Sequence, residues 1–234
     1  GGGGASVFSV ALARAAGDAL LVDADPWGGG LDLVLGSETE PGLRWPDLAL
    51  AGGRLMYPAL RAALPRVHGV AILAGSRLLA GERATDEIDP HALSAVMDAG
   101  ARAGVTVVAD VARHPGAATQ TALTAADLVV LVTPADVRSC AAAAATAQWA
   151  MACNPNTGLL VRGPSPGGLR PIDVARIVGL PVVAAMRPQP GLEQQLERGG
   201  VRLRGNSPLA TAARAALTVL QTKPHVDSFG EIAA

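Results

Sequence analysis

The sequence contains few lysines and few cysteines, and these shortages narrow the classes of protein to which it can belong. Of its 19 basic residues 18 are arginine, and Lys223 is the single lysine. Cys140 and Cys153 form neither a Cys-x-x-Cys pair nor a metal-binding cluster, which favours a reduced, cytoplasmic setting. The formal net charge is −1, which argues against a nucleic-acid coat protein with its strong positive excess. No apolar run approaches the roughly 20 residues that span a bilayer, and the segment after Lys223 has no basic face, so we expect no direct membrane insertion.

Short, branched apolar runs recur along the chain, and each is typical of a strand buried on both faces of a parallel sheet. The predicted strands are Ala19–Ala24, Val70–Ala74, Val105–Asp110, Leu128–Thr133, Gly158–Arg162 and Pro181–Met186.

Longer alanine-rich stretches separate these runs and predict helices. The predicted helices are Ala5–Ala16, Leu55–Leu64, Pro90–Ala103, Ala117–Ala125, Asp136–Met151, Pro171–Val178, Leu192–Arg198 and Ser207–Gln221. This alternation predicts a single α/β domain over residues 1–222, doubly wound around a mostly parallel sheet, followed by a disordered tail over residues 223–234.

Four glycines open the sequence and lead directly into a predicted helix. Glycines at such a junction let backbone N–H groups approach phosphate oxygens, and the helix N-terminus adds positive partial charge. A glycine loop of this kind normally follows a buried strand. We therefore expect the first strand of the sheet to lie ahead of Gly1 in a longer protein; the alternative is that the glycines are an unstructured leader.

Carboxylates follow two of the predicted strands. Asp23 and Asp25 end one strand, Asp32 lies in the loop that follows, which we expect to be flexible, and Asp110 ends another strand. Ligands of open α/β sheets bind at this edge, where such carboxylates suit Mg²⁺ held through water and the orientation of an attacking water. Each aspartate taken singly is also consistent with a helix cap or a turn. A dinucleotide site is disfavoured, because the third glycine of its motif would fall on Ser6 or Val7.

Taken together, these motifs resemble the MinD/ParA class of P-loop ATPases with a deviant Walker A loop, and most of all its actinobacterial CpaE-like or septum-site-determining branch. Gly1–Ser6 aligns with the second part of the family loop KGGxGK[ST], and Val22–Asp25 resembles the second acidic strand. Val107–Arg113 resembles the Walker B strand, and Leu131–Pro134 resembles the segment that follows it.

The resemblance implies a site for ATP or ADP with Mg²⁺. Backbone donors to the phosphates would come from Gly2, Gly3, Gly4 and Ala5, and Ser6 would place its hydroxyl on Mg²⁺. Asp110 would hold the metal through water, Asp23 would orient the attacking water or the metal shell, and Asp25 would support them. The adenine would lie near Arg162 and near Arg187 and Gln189.

The sequence also departs from the family pattern. Ala5 occupies the position of the Walker lysine, the signature lysine would fall ahead of Gly1, and Gly30 replaces the usual asparagine. Because a loop lysine places positive charge on the transferring phosphoryl group, we expect weak or no ATP hydrolysis, and whether the chain is an enzyme stays open.

By resemblance, the chain is expected to be a positional regulator of septum placement or of a pilus or secretion machine. It would act through protein partners of those machineries and, as a possible homodimer, through itself. Two alternatives remain: a nucleotide-free pseudo-ATPase scaffold, and a true ATPase of the ParA/MinD type. Arg198, Arg202, Arg204 and Arg214 are expected to form a solvated face rather than a DNA-binding surface, so nucleic acid is an unlikely partner.

Overall fold

The computed structural model describes residues 3–48, 54–75 and 88–222. Nine α-helices, seven strands and one 3₁₀ turn (Trp45–Asp47) occur in these ranges. The strands are β1 Ala19–Ala24, β2 Arg66–Val67, β3 Val70–Leu73, β4 Thr106–Val111, β5 Val129–Pro134, β6 Thr157–Arg162 and β7 Val182–Met186. The helices are α1 Ala5–Ala16, α2 Leu31–Leu35, α3 Tyr57–Ala63, α4 Pro90–Arg102, α5 Ala117–Ala125, α6 Val137–Cys153, α7 Pro171–Val178, α8 Leu192–Leu196 and α9 Pro208–Thr222.

The strands form two sheets, one in the order β2-β3-β1-β4 and the other in the order β5-β6-β7. All pairs are parallel except the short β2–β3 pair, so the predicted α/β class with mostly parallel strands is confirmed. The inner strand β1 is buried along its whole length, whereas the edge strands β4 and β5 are largely half-buried despite equally apolar sequences. Within the described ranges, no ladder hydrogen bond joins β4 to β5.

Helix α1 packs against both sheets. Val10 and Ala13 belong to a cluster with residues of β1, β3 and β4. Phe8 and Ala11 belong to another cluster with residues of β5, β6, β7 and α9. The helix therefore covers the junction between the two sheets, and its N-terminus lies at the edge where the parallel strands end.

Four elements begin and end at the residues predicted from the sequence: α1, β1, α5 and α7. The prediction of a flexible loop through Asp32 is wrong, because α2 begins at Leu31. Gly30 precedes this helix with φ 89°, and Leu31 and Leu35 are buried in the core. β2 and the 3₁₀ turn were not predicted from the sequence, since both are very short. The predicted tail, residues 223–234, lies outside the described residues, as do Gly1 and Gly2.

Two backbones cross in contact near α2. A Cβ added to Gly36 would lie 2.4 Å from the carbonyl oxygen of Gly199, and one added to Gly200 would lie 2.6 Å from the Gly36 nitrogen. The Val201 N–H donates to the Val34 carbonyl oxygen at 2.8 Å beside this crossing. The segment after α2 is thus fastened to the segment that precedes α9.

Of the helices in the described residues, none is both long and apolar enough to cross a membrane.

Candidate functional site

The glycine loop lies against β5 and opens α1. A Cβ on Gly3 would stand 3.1 Å from the Val132 carbonyl oxygen, so the loop backbone passes close to that strand. Gly4 has φ 93° and precedes the helix without a side-chain cap. The first N–H groups of a helix have no intrahelical acceptor, so this junction presents donors and positive partial charge to an anion. Gly3, Gly4 and Ala5 belong to this junction, and their role as donors to phosphates stays a prediction, whereas Gly2 lies outside the described residues.

Asp23 and Asp110 end neighbouring strands side by side. They are register partners in the β1–β4 ladder, and both are about 6% exposed. The Asp23 carboxylate accepts hydrogen bonds from the Leu31 N–H at 2.9 Å and the Asp25 N–H at 3.3 Å. Burial raises the pKa of Asp23 to about 6, and the negative charge of Asp110 adds to the rise against the lowering effect of these two hydrogen bonds.

The Asp110 carboxylate lies beneath the first turns of α1. Ser9 donates its hydroxyl to Asp110 Oδ1 at 3.1 Å, inside the core. Burial raises the pKa of Asp110, although hydrogen bonds from the Ser6 and Ser9 side chains lower it. The structure therefore brings the Ser6 side chain to Asp110.

Asp23, Asp110 and Ser6 suit a magnesium ion that keeps water and phosphate ligands better than a metal ion held by protein side chains alone. Within the three described ranges, no group of three His, Cys, Asp or Glu side chains is placed to hold a metal. Mg²⁺ commonly uses one or two carboxylates and keeps waters and ligand phosphates as its other ligands. Two buried carboxylates with raised pKa values, beside the hydroxyl of Ser6, form such a partial set, because a cation would relieve their repulsion.

Asp25 organises the turn that leaves β1. Its Oδ1 accepts the Trp27 N–H at 3.1 Å, and its carbonyl accepts the Gly28 N–H at 3.0 Å. The Asp25 charge also contributes to the raised pKa values of Asp23 and Asp110. Asp32, in contrast, is a buried residue of α2 whose Oδ1 accepts the Leu33 N–H, so it belongs to the helix start rather than to the strand ends.

Trp45 is a positioning residue that the sequence analysis did not identify. Its indole Nε1 donates to the Asp23 carbonyl oxygen at 2.7 Å, and its ring packs against the core. The contact joins residues 22 positions apart, and no local pattern could reveal it. Trp27, in the turn after Asp25, is by contrast 70% exposed.

A cleft of about 670 Å³ opens beside the glycine loop at the ends of β5, β6 and β7. Its lining brings together Gly4, Arg162 and Gln189. Arg187 is exposed and is not among the lining residues, so its predicted contact with nucleotide receives no support from this geometry. Ala5 is exposed, and its methyl group brings no charge to the loop.

Two further groups of side chains lie away from this cleft. His114 is exposed and, with Trp27, lines a separate small cavity of about 50 Å³ at the ends of β1 and β4. The arginines near the C-terminal helix are solvent-exposed, as expected of a solvated face: Arg198, Arg202, Arg204 and Arg214.

Comparison with solved structures identifies the architecture. The ParA family ATPase of Chlorobium tepidum TLS superposes with a TM-score of 0.79, at 17% sequence identity, over 93% of this chain and 95% of that one. The chain has the fold of the ParA and MinD ATPases. MinD in the MinC:MinD cell division complex of Aquifex aeolicus gives a TM-score of 0.72 at 19% identity, over 98% and 96% of the two chains. The septum site-determining protein MinD of Pyrococcus horikoshii OT3, complexed with Mg-ADP, gives 0.68 at 20% identity, over 94% and 91%.

Two curated relatives are much closer in sequence. The uncharacterized proteins Rv3660c and MT3760, from the H37Rv and CDC 1551 strains of Mycobacterium tuberculosis, are each 61% identical over 220 residues. The match takes in 94% of this chain and 61% of each relative, so the chain spans about three-fifths of their length. No protein-family model matches the chain.

Proposed function

We propose that this chain binds ATP or ADP with Mg²⁺ and acts as a positional regulator of the MinD/ParA type. The observation that carries the proposal is the meeting of three features at one end of α1: the glycine loop, the Asp23–Asp110 pair and the cleft. The shared fold supports it, since the Pyrococcus horikoshii MinD structure holds Mg-ADP.

Each group has a role that its position allows. The loop and the first turn of α1 would donate N–H groups to the phosphates. Ser6 and Asp110 would hold Mg²⁺, Asp110 through water, while Asp23 would orient a water and Asp25 would keep the turn in place. When bound, the ion would neutralise part of the phosphate charge.

Hydrolysis is proposed to be weak or absent. Ala5 occupies the Walker lysine position, and the part of the chain that the structure describes contains no lysine. Without that cation, charge that develops on the transferring phosphoryl group is less stabilised, which slows the chemical step more than it weakens binding. A nucleotide held in this way would act as a switch for association.

Calorimetric titration with ATP and ADP, with and without Mg²⁺, tests the binding. We expect binding that requires Mg²⁺ and is lost in Asp110→Ala, with Asp98→Ala, which replaces an exposed aspartate of α4, as the matched control. Absence of binding at millimolar ATP with Mg²⁺ would refute the nucleotide proposal. Phosphate release then separates a switch from an enzyme, and Mg²⁺-dependent turnover that Asp110→Ala abolishes would identify a true ATPase.

The cellular role proposed is septum placement, with localisation of a pilus or secretion machine as the other candidate. MinD of Aquifex aeolicus forms a complex with MinC, which supports a protein partner for this chain and, by the same fold, a homodimer. We propose a cytoplasmic location and no role for nucleic acid. Microscopy of a fluorescent fusion tests this: wild type should concentrate at septa, and Asp110→Ala should spread through the cell. Polar foci would favour the pilus or secretion role.

A nucleotide-free scaffold is the second candidate, and the missing loop lysine favours it. A scaffold would bind its partner equally well with and without nucleotide. Affinity capture of the partner by wild type and Asp110→Ala, in the presence and absence of ATP, separates the two: equal capture in all four samples supports the scaffold.

A further inference from the structure

Arg162 reaches the glycine loop from a neighbouring sheet. It is the last residue of β6, and its guanidinium Nη1 lies 3.4 Å from the position that a Cβ on Gly4 would occupy. Gly4 and Arg162 both line the 670 Å³ cleft. A guanidinium therefore lies at the same place as the backbone donors that open α1.

The backbone holds Arg162 firmly in this position. β6 is the central strand of its sheet, and Arg162 is in register with Pro134 on one side and Met186 on the other. The Arg162 carbonyl accepts the Ala135 N–H at 2.9 Å, and the following Gly163 donates to the Met186 carbonyl at 2.9 Å. Arg187, at the end of the edge strand β7, is exposed and lacks this double support.

Arg162 is the one cation among the described residues that line the cleft, whereas Asp136 and Glu193 are anions. Asp136 is engaged as the cap of α6, where it accepts the Ser139 N–H at 2.9 Å and the Ser139 hydroxyl at 2.7 Å. A ligand that carries several negative charges would find its complement at Arg162 and the loop.

We propose that Arg162 is the phosphate-binding cation of this cleft, in place of the loop lysine that the chain lacks. The inference rests on the proposed nucleotide function and revises the expectation that Arg162 lies near the adenine. A guanidinium fork can donate two parallel hydrogen bonds to a phosphate, so the ligand class is a nucleoside di- or triphosphate held by its terminal phosphates.

An arginine on a neighbouring strand differs from a lysine within the loop in its effect on chemistry. The planar fork approaches the phosphates from outside the loop, and its backbone is fixed by β5 and β7. It would stabilise the bound nucleotide without adding charge inside the loop, where a lysine contacts the transferring group. Tight binding with slow turnover is the expected consequence.

The test is titration of wild type, Arg162→Gln and Arg162→Lys with Mg-ATP, adenosine and inorganic triphosphate. Arg204→Gln is the matched control, since it removes an exposed arginine that does not line the cleft. We expect Arg162→Gln to weaken ATP and triphosphate binding by about 10- to 100-fold and to leave adenosine binding unchanged. Arg162→Lys should recover part of the loss because it keeps the charge without the fork. Should Arg162→Gln fail to fold, the loss of affinity in Arg162→Lys, compared with an unchanged affinity in Arg204→Gln, decides.

The outcomes separate this inference from the proposed function. Unchanged ATP affinity in Arg162→Gln, or an equal loss for ATP and adenosine, would overturn the role of Arg162 and leave the nucleotide function standing. If wild type binds triphosphate but not ATP or ADP, and Arg162→Gln removes that binding, the anion site stands and the nucleotide function fails. If wild type binds none of the probes, both are overturned.

Discussion

Asp23 lies directly beside Asp110 in the parallel β1–β4 ladder, and both carboxylates are buried. Because burial and the charge of Asp110 raise the pKa of Asp23 to about 6, the folded chain holds a proton that the unfolded chain releases near the ordinary value of 3.8. The unfolding free energy contributed by Asp23 therefore falls as the pH rises between these two values, and the penalty persists above them.

The first prediction follows from that sign. Between about pH 4 and about pH 7.5, wild type should lose on the order of 2 kcal/mol of stability relative to Asp23→Asn, which keeps the shape and cannot ionise. Urea unfolding of both proteins in a chelator measures the difference. Millimolar Mg²⁺ should reduce it, because a cation at the pair favours the ionised forms. A difference that is constant across this range would contradict the account.

Two serines of α1 provide a second, paired prediction. Ser9 is buried and donates to Asp110 at 3.1 Å, whereas Ser6 is half-buried in the first turn of the helix. Ser9→Ala should lower the unfolding free energy by about 1–2 kcal/mol, since it removes a buried hydrogen bond to a carboxylate, and should preserve the Mg²⁺ requirement for nucleotide. Ser6→Ala also removes a hydrogen bond to Asp110 and should cost some stability, but in addition its nucleotide affinity should no longer respond to Mg²⁺. An equal response to Mg²⁺ in the two variants would place the metal elsewhere.

The third prediction concerns the backbone crossing at Gly36. Alanine there would add both left-handed backbone strain, at φ 77°, and overlap with the Gly199 carbonyl. Gly104 has a similar φ of 72° and nothing within 4 Å of its Cβ position, so Gly104→Ala measures the strain alone. We expect Gly36→Ala to be at least about 2 kcal/mol more destabilising than Gly104→Ala in urea unfolding. Similar losses of unfolding free energy in the two variants would show that the backbone at the crossing moves to accommodate the added methyl group.

Trp45 supports a fourth prediction. Trp45→Phe keeps most of the packing and removes the 2.7 Å hydrogen bond to the Asp23 carbonyl, which should cost about 1 kcal/mol. It should also weaken Mg²⁺-dependent nucleotide binding, because the end of β1 loses a support. Trp27→Phe is the control, since Trp27 is 70% exposed and its replacement should leave stability unchanged. An equal loss of stability in both variants would contradict the role assigned to the hydrogen bond between Trp45 and Asp23.

The sequence predicted most of the elements because their signals are local. α7 begins at Pro171 and ends just before Gly179, and both boundaries match the prediction. The boundaries of the continuous apolar strand β1 match as well. Helix α2 was missed because five residues after a run of glycines carry too little periodicity to be recognised. Its formation depends instead on the burial of Leu31 and Leu35 in the core.

The candidate site was predictable in part for the same reason. Asp23 and Asp110 follow recognisable strands, and the ends of parallel strands share an edge, so their meeting could be expected. The approach of Arg162 to Gly4 and of Trp45 to Asp23 depends on how distant segments pack, and a single sequence contains no local pattern for either contact.

Helix α1 belongs to two hydrophobic cores at once. It packs on β1, β3 and β4 through one set of residues and on β5, β6 and β7 through another. Because protein interiors are densely packed, a change of side-chain volume in either core is transmitted to the helix. Substitutions in either core are therefore expected to alter ligand affinity at residues 4–6, even where they lie far from the cleft.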